Sequence, residues 1–381
     1  MKASNSLRYH IGIFGKRNSG KSSLLNTLTG QHTSIVSSQA GTTTDPIYKP
    51  MEIHSLGPVV FIDTAGFDDI GYLGELRNKK TEDIIDKCDG FLYLLSEDDD
   101  LEFLKKLEKK KKPIIKIISK ADLDNYDVVK NKFLNLDTID FIKDNEKSKK
   151  ELIERIIKEF KSDDIVDITG NLVKKSDVVL LVMPQDEQAP KGRLILPQVQ
   201  TIREILDKKA ISICIELSNL ERAFFIFKDK ISLIITDSSS FKEVYQKNTS
   251  NIPLTSFSVL FSKLKGDIDY FIKSVYRLDN KLDNILISEA CTHPPMDEDI
   301  GTVKIPKLIR KIHPNVKIDF KRGDDFSDID KYDLIISCGS CMFNKAYVNS
   351  RVDLAKEKNI PMTNYGLTIA YLNGILDKII Y

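Results

Sequence analysis

Residues 9–28 read Tyr-His-Ile-Gly-Ile-Phe-Gly-Lys-Arg-Asn-Ser-Gly-Lys-Ser-Ser-Leu-Leu-Asn-Thr-Leu. An apolar strand from about Tyr9 to Phe14 feeds a glycine-bounded loop, and Ser23 to Leu28 continue as a helix. Gly15 to Ser22 is therefore G-x-x-x-x-G-K-[ST] in the strand-loop-helix setting that gives the motif its chemistry. Successive backbone N–H groups over Lys16, Asn18, Ser19, Gly20, Lys21, Ser22 and Ser23 surround the β-phosphate of a bound triphosphate. The Lys21 ammonium reaches the β and γ oxygens, and the Ser22 hydroxyl ligates Mg2+.

The chain downstream supplies the remaining parts in order. Ala40-Gly41-Thr42-Thr43-Thr44-Asp45-Pro46 is a polar loop suited to ordering around a γ-phosphate. A strand near Val59 to Ile62 delivers Asp63-Thr64-Ala65-Gly66, where the aspartate reaches the magnesium shell and Gly66 lets its N–H approach the γ-phosphate. Another strand, Ile114 to Ile118, ends in Ser119-Lys120-Ala121-Asp122. A carboxylate at Asp122 accepts from guanine N1 and N2, which selects GTP over ATP.

These residues resemble the translation-factor-type GTPases of the group that includes the tRNA-modification GTPase MnmE and Era. The resemblance implies that Asn18 ligates K+, that Thr43 is the second Mg2+ ligand, and that nucleotide controls pairing of GTPase domains. It also implies Lys120 and Asp122 as base-recognition residues. Three departures stand out. Ser119 replaces the asparagine of N-K-x-D, no S-A-K/L loop is evident between Asp122 and Phe160, and Phe67 stands where Ras-like proteins carry a water-orienting glutamine. Asp68, Asp69 and Glu75 are available to position water, with no basis for choosing, so the catalytic residue is unknown and unaided hydrolysis is expected to be slow.

Composition narrows the partners. Among 381 residues, 57 Lys+Arg against 56 Asp+Glu leave a net charge of +1, so no global field draws the chain to nucleic acid or membrane. The longest apolar runs, such as Val178 to Met183, fall far short of the roughly 18 residues that span a bilayer, and the N-terminus has no apolar signal core. A cytoplasmic location is the expectation. Five cysteines in such a chain suit metal binding better than a disulfide framework. Cys88 and Cys214 read as core thiols. The runs Glu97–Asp100 and Lys109–Lys112 read as solvated ends around a helix from Leu101 to Leu107, and Lys149 to Phe160 as the last amphipathic helix of the first domain. His10, His32, His54 and His313 read as ordinary surface or cap residues.

A second unit opens near Ile168-Thr169-Gly170. Val178 to Met183 is a buried strand, the polar loop 185–193 follows, a helix spans about Pro197 to Lys208, and further strands are expected at 210–216, 231–236 and 255–260. No catalytic constellation is legible there, and the reading is a spacer or association domain. From about Gly266 the pattern alternates strands (284–288, 333–337, 361–364) with helices (302–312, 343–357, 366–378). Cys291-Thr-His293 follows the first strand and Cys338-Gly-Ser-Cys341 the second. In a parallel sheet both fall on the rim formed by the carboxyl ends of the strands. Three thiolates and an imidazole suit an iron-sulfur cluster or zinc, and the spacing leaves both open.

The order of the P-loop motif, the stretch Leu180 to Gln200 (L-L-V-M-P-Q-D-E-Q-A-P-K-G-R-L-I-L-P-Q-V-Q), then C-x-H and C-x-x-C resembles the maturation GTPases of iron-only (FeFe) hydrogenases. The resemblance covers essentially the whole chain. It implies an α/β fold class, a P-loop GTPase domain (1–167) followed by two smaller α/β domains, one for dimerisation (168–265) and one binding a 4Fe-4S cluster (266–381). By the same resemblance Cys291, Cys338 and Cys341 are the cluster thiolates and His293 a labile fourth ligand. Ser337 stands where many relatives have a second histidine. The implied activity is a K+-stimulated GTPase that assembles a diiron subcluster precursor and delivers it to apo-hydrogenase, working as a homodimer with radical-SAM maturases. Two other readings are an Era-like RNA-associated GTPase with a structural zinc module, and a dimeric switch whose metal is purely structural.

Overall fold

The computed structural model describes residues 8–30, 46–64, 81–99, 101–123, 126–160, 167–184, 194–290, 299–340 and 342–381. Thr43, Gly66, Cys291, His293 and Cys341 lie outside these residues, as do Phe67, Asp68, Asp69, Glu75, His32 and the loop 185–193. The chain divides into two compact units, 1–163 and 164–381.

The first unit is one six-stranded sheet in the order β2-β3-β1-β4-β5-β6. Its strands are β1 (Tyr9–Gly15), β2 (Ile47–Ile53), β3 (Gly57–Asp63), β4 (Gly90–Leu95), β5 (Ile114–Ser119) and β6 (Thr138–Phe141). All neighbours are parallel except β2, which runs antiparallel to β3. The helices are α1 (Lys21–Thr29), α2 (81–87), α3 (Glu102–Glu108), α4 (Tyr126–Lys132) and α5 (Glu146–Phe160). Parallel strands covered on both faces must be apolar along their length, and the G-F-L-Y-L-L of β4 is buried at every position. On α5, Leu152, Ile156 and Phe160 follow helical spacing and are all buried, each contributing about 2 kcal/mol of apolar burial.

The second unit holds two four-stranded parallel sheets. One runs β10-β9-β7-β8, from β7 (Val178–Val182), β8 (Ile211–Ile215), β9 (Ile231–Thr236) and β10 (Leu254–Ser256). The other runs β12-β11-β13-β14, from β11 (Asn284–Glu289), β12 (Lys317–Arg322), β13 (Leu334–Ser337) and β14 (Met362–Asn364). Helices α6 (Leu196–Asp207), α7 (Leu220–Phe227), α8 (Phe241–Lys247), α9 (Phe257–Lys265), α10 (Ile268–Val275), α11 (Ile305–Ile312), α12 (Lys345–Glu357) and α13 (Tyr365–Leu372) cover them. One buried apolar cluster runs from Leu180 and Val182 through Phe271 to Leu286, Ile335 and Met362, so the two sheets share a core. Among the described residues no helix is long and apolar enough to cross a membrane.

Several expectations need correction. The strand expected at 255–260 ends at Ser256, whose hydroxyl caps α9 by accepting from the Val259 N–H at 3.3 Å. Cys88 is buried, and its burial pushes the thiol pKa up, but Cys214 is exposed because β8 is a sheet edge. His10 is buried in β1 rather than on the surface. Asp99 and Lys112 are not solvated ends. The Tyr93 hydroxyl donates to Asp99 at 2.8 Å, and Lys112 Nζ donates to the Cys88 carbonyl at 2.7 Å. Short β6 and the charged edges β2 and β12 escape the sequence reading altogether.

Candidate phosphate loop and metal rim

Gly15 to Ser22 wrap between β1 and α1. Gly20 has φ 97°, a conformation that L side chains rarely adopt, and an added Cβ would stand 3.2 Å from Ser119 Oγ. Asn18 also has positive φ, at 60°. Lys21 is buried and donates to the Gly15 and Lys16 carbonyls, both at 2.7 Å, which holds its ammonium over the loop. The loop amides stand at the N-terminus of α1, where the peptide dipoles favour negative charge.

Asp63 ends β3 beside this loop, as its parallel register with β1 requires. The Ser22 hydroxyl donates to Asp63 Oδ2 at 2.8 Å, whereas Oδ1 is buried without a hydrogen-bond partner. Burial pushes the Asp63 carboxyl above the usual carboxylate range, against the pull of the Ser22 hydrogen bond and the Lys21 charge. A buried carboxylate oxygen with spare capacity next to a hydroxyl suits a hard divalent cation such as Mg2+.

The loop from Ser119 to Asp122, expected to recognise the base, joins the same site. Ser119 donates its hydroxyl proton to the Ser19 carbonyl, and Lys120 Nζ donates to the Asn18 carbonyl at 2.9 Å. Asp122 is exposed at the loop's end. The strand β6 places the Phe141 carbonyl 3.3 Å from the Ala121 N–H, so the turn 142–145 flanks the base loop.

In the second unit, Ser288 of β11 lies opposite Ser337 of β13, and Asn364 of β14 lies opposite Ser337 on its other side. Three parallel strands thus end level, and Cys338 stands on their rim at intermediate exposure. Its N–H donates to the Ser288 carbonyl at 2.9 Å, and its sulfur accepts from the Ala290 N–H at 3.1 Å and the Ser340 N–H at 3.4 Å. Amide donors of this kind favour a thiolate. Glu289 is buried beside it, paired with Arg322 at 3.1 Å and accepting from Tyr365 OH at 3.1 Å. Burial and the neighbouring Cys338 and Glu289 charges keep the Tyr365 phenol protonated.

Two buried cations flank the loop that Cys338 begins. Lys265, at the end of α9, donates to the Ser340 carbonyl at 3.2 Å and the Phe343 carbonyl at 2.8 Å. Arg351 of α12 stacks on the Phe343 ring at 4.6 Å. Lys265, Arg351, Glu289 and Tyr365 are not legible in the sequence, because lone charges and a tyrosine on separate elements leave no local signal. Among the described residues no group of three or more His, Cys, Asp or Glu side chains is placed to hold a metal. Of the four expected rim ligands only Cys338 is described. Its donated amides, its soft sulfur and the adjacent positive charge fit a thiolate-bound metal centre.

The fold and loop define a P-loop GTPase domain joined to two further α/β modules. Residues 10–120 match the family described as 50S ribosome-binding GTPase. Residues 168–266 match the hydrogen maturase F dimerization domain and 269–381 the hydrogen maturase F tetramerization domain. The chain belongs to the hydrogen maturase F (HydF) family. Two curated relatives match this chain over less than a third of its length. GTPase Der of Wolinella succinogenes is 43% identical over 88 residues, 22% of this chain and 18% of that protein. GTPase Der of Helicobacter hepaticus is 34% identical over 119 residues, 30% of this chain and 24% of that protein. The chain thus spans about a quarter or less of the curated relatives it matches. Among solved structures, Era in complex with MgGDPNP and a 16S ribosomal RNA segment aligns at 18% identity and TM-score 0.34, over 55% of this chain and 91% of that chain. The cytosolic domain of the T. maritima FeoB iron transporter aligns at 20% identity and TM-score 0.30, over 43% and 69%. Values this low do not bear on function.

Proposed function

We propose that this protein is a GTP-hydrolysing scaffold of hydrogenase maturation, which holds a 4Fe-4S cluster and delivers a diiron subcluster to apo-(FeFe) hydrogenase. The observation that carries the reading is the juxtaposition, in a HydF-family chain, of Cys338 with amide donors and buried cations on a strand rim. Cys291, Cys338 and Cys341 are the proposed thiolate ligands and His293 the labile fourth ligand. Such a cluster supplies an iron-bound site on which a second metal fragment can be carried.

In the GTPase unit, the loop from Lys16 to Ser23 binds the phosphates, Ser22 with Asp63 and Thr43 holds Mg2+, and Gly66 meets the γ-phosphate. Asn18 carries K+, and Lys120 with Asp122 reads guanine. Binding of the γ-phosphate orders the adjacent loops, and hydrolysis releases them, which provides a two-state element. The dimerisation and tetramerisation descriptions of the matched modules support oligomerisation. The expected partners are apo-hydrogenase and the radical-SAM maturases, in the cytoplasm.

The test is activation of apo-hydrogenase by wild type and by Cys338→Ser, with GTP hydrolysis measured in parallel. Loss of activation with hydrolysis retained is the expected result. A Cys338→Ser protein with full maturation activity would remove the scaffold role. Stimulation of hydrolysis by RNA would favour the Era-like alternative.

A further inference from the structure

We propose that Arg351 is a positioning residue for the metal centre at the Cys338 rim, its buried guanidinium supplying the positive charge that retains an anionic cluster and sets its reduction potential. The inference rests on the iron-sulfur reading of that rim.

Arg351 is 6% exposed. Nη1 donates to Ser288 Oγ at 3.4 Å, and Nη2 donates to the Gly323 carbonyl at 2.7 Å and to Tyr347 OH at 3.2 Å. The rings of Phe326, Phe343 and Tyr347 stand 4.8, 4.6 and 4.8 Å from the guanidinium carbon. Nε is buried without a hydrogen-bond partner. None of these neighbours is an anion. Three rings offset part of the desolvation cost through cation–π attraction, but a buried guanidinium ordinarily has a carboxylate beside it. Among the described acids at this rim, Glu289 is paired with Arg322 and Tyr365, and Asp299 accepts from the Thr302 N–H and hydroxyl.

Ser288 shows where the missing negative charge belongs. Its carbonyl accepts the Cys338 N–H while its hydroxyl accepts from Arg351, so the cation is bonded to the end of β11, the strand beside the one that carries the thiol. Phe343 repeats the arrangement from the far side of the loop, with its ring on Arg351 and its carbonyl on Lys265. A four-iron, four-sulfide core of formal charge two plus, bound by three thiolates, is a net anion, and one-electron reduction adds a further negative charge. A fixed buried cation stabilises the reduced form more than the oxidised one. Arg351 therefore raises the potential and slows loss of the cluster.

The experiment compares the anaerobically reconstituted full chain with Arg351→Met, Arg351→Gln and Arg351→Lys, by EPR-monitored titration with dithionite as electron donor and by iron release to a chelator. In the two neutral variants the reduced-to-oxidised ratio at a fixed potential should fall about tenfold, which is 59 mV for one electron, and iron should leave several-fold faster. Arg351→Lys, which keeps the charge but loses the stacked plane, should stay near wild type in potential. Neutral variants that fold and titrate with wild type would overturn the proposal, since a purely structural cation leaves the potential unmoved. If Arg351→Met fails to fold, Arg351→Gln against Arg351→Lys decides the question. Wild type that takes up no iron would instead remove the rim reading, and this proposal with it.

Discussion

The Ser119 hydroxyl donates to the Ser19 carbonyl, so the loop proposed to read the base is tied directly to the P-loop. The single hydroxyl of Ser119 makes this cross-link. Ser119→Ala should cost about 1 kcal/mol of stability, the net value of one such bond, and weaken GDP binding several-fold. Calorimetric titration with GDP checks this, and unchanged affinity would mean that the two loops are independent.

Lys21 and Asp63 are the residues proposed for the phosphate and metal positions of the same site, each joined to the P-loop by hydrogen bonds. Lys21→Ala should abolish GTP hydrolysis. Asp63→Ala should lower it about a hundredfold or more, given the several kcal/mol a catalytic metal contributes. Both variants should retain the iron content of wild type. Loss of iron from Lys21→Ala would show that the nucleotide and metal sites are not separable.

His10 provides a pH signature. Burial drives its pKa down from 6.5 to about 4, outweighing the hydrogen bond from its ring to the Arg8 carbonyl. The unfolded chain therefore binds a proton between those values that the folded chain does not. Stability is fully present above about pH 6.5 and is lost as pH falls toward 4, by on the order of 3 kcal/mol at about 1.36 kcal/mol per pH unit. Urea denaturation followed by circular dichroism across this window should show that slope in wild type and a shallower one in His10→Val. Equal slopes would contradict the assignment.

The module at 168–266 offers an edge for self-association. β8 ends its sheet, Ile211 on it is 53% exposed, and Phe225 on the neighbouring helix α7 is 91% exposed. An open edge with exposed apolar side chains is a template for pairing with a second copy. Ile211→Lys combined with Phe225→Ser should shift the protein to monomer in analytical ultracentrifugation while hydrolysis persists. A dimer as tight as wild type would place the interface elsewhere.

The phosphate loop was legible because its chemistry is encoded in consecutive residues, with a strand before and a helix after. The parallel strands β7, β9, β11 and β13 were legible as apolar runs. β2 was not, because Lys49, Pro50 and Glu52 interrupt it and it pairs only with β3. Cys214 was misplaced for a similar reason, since an apolar strand can still lie at an open edge. Asp99, Lys112, Lys265 and Arg351 carry charges whose burial depends on partners far along the chain, and no local pattern announces it.

The proposed scaffold stands or falls on whether the rim at Cys338 holds an iron-sulfur cluster. Iron, sulfide and zinc content should be measured on protein purified anaerobically, with EPR after reduction, for wild type and for a variant with Cys291, Cys338 and Cys341 all changed to serine. The account predicts about four irons and four sulfides per wild-type chain, the content of one such cluster, and none in the variant. One zinc and no iron, even after anaerobic reconstitution, would contradict it and leave a structural metal in its place.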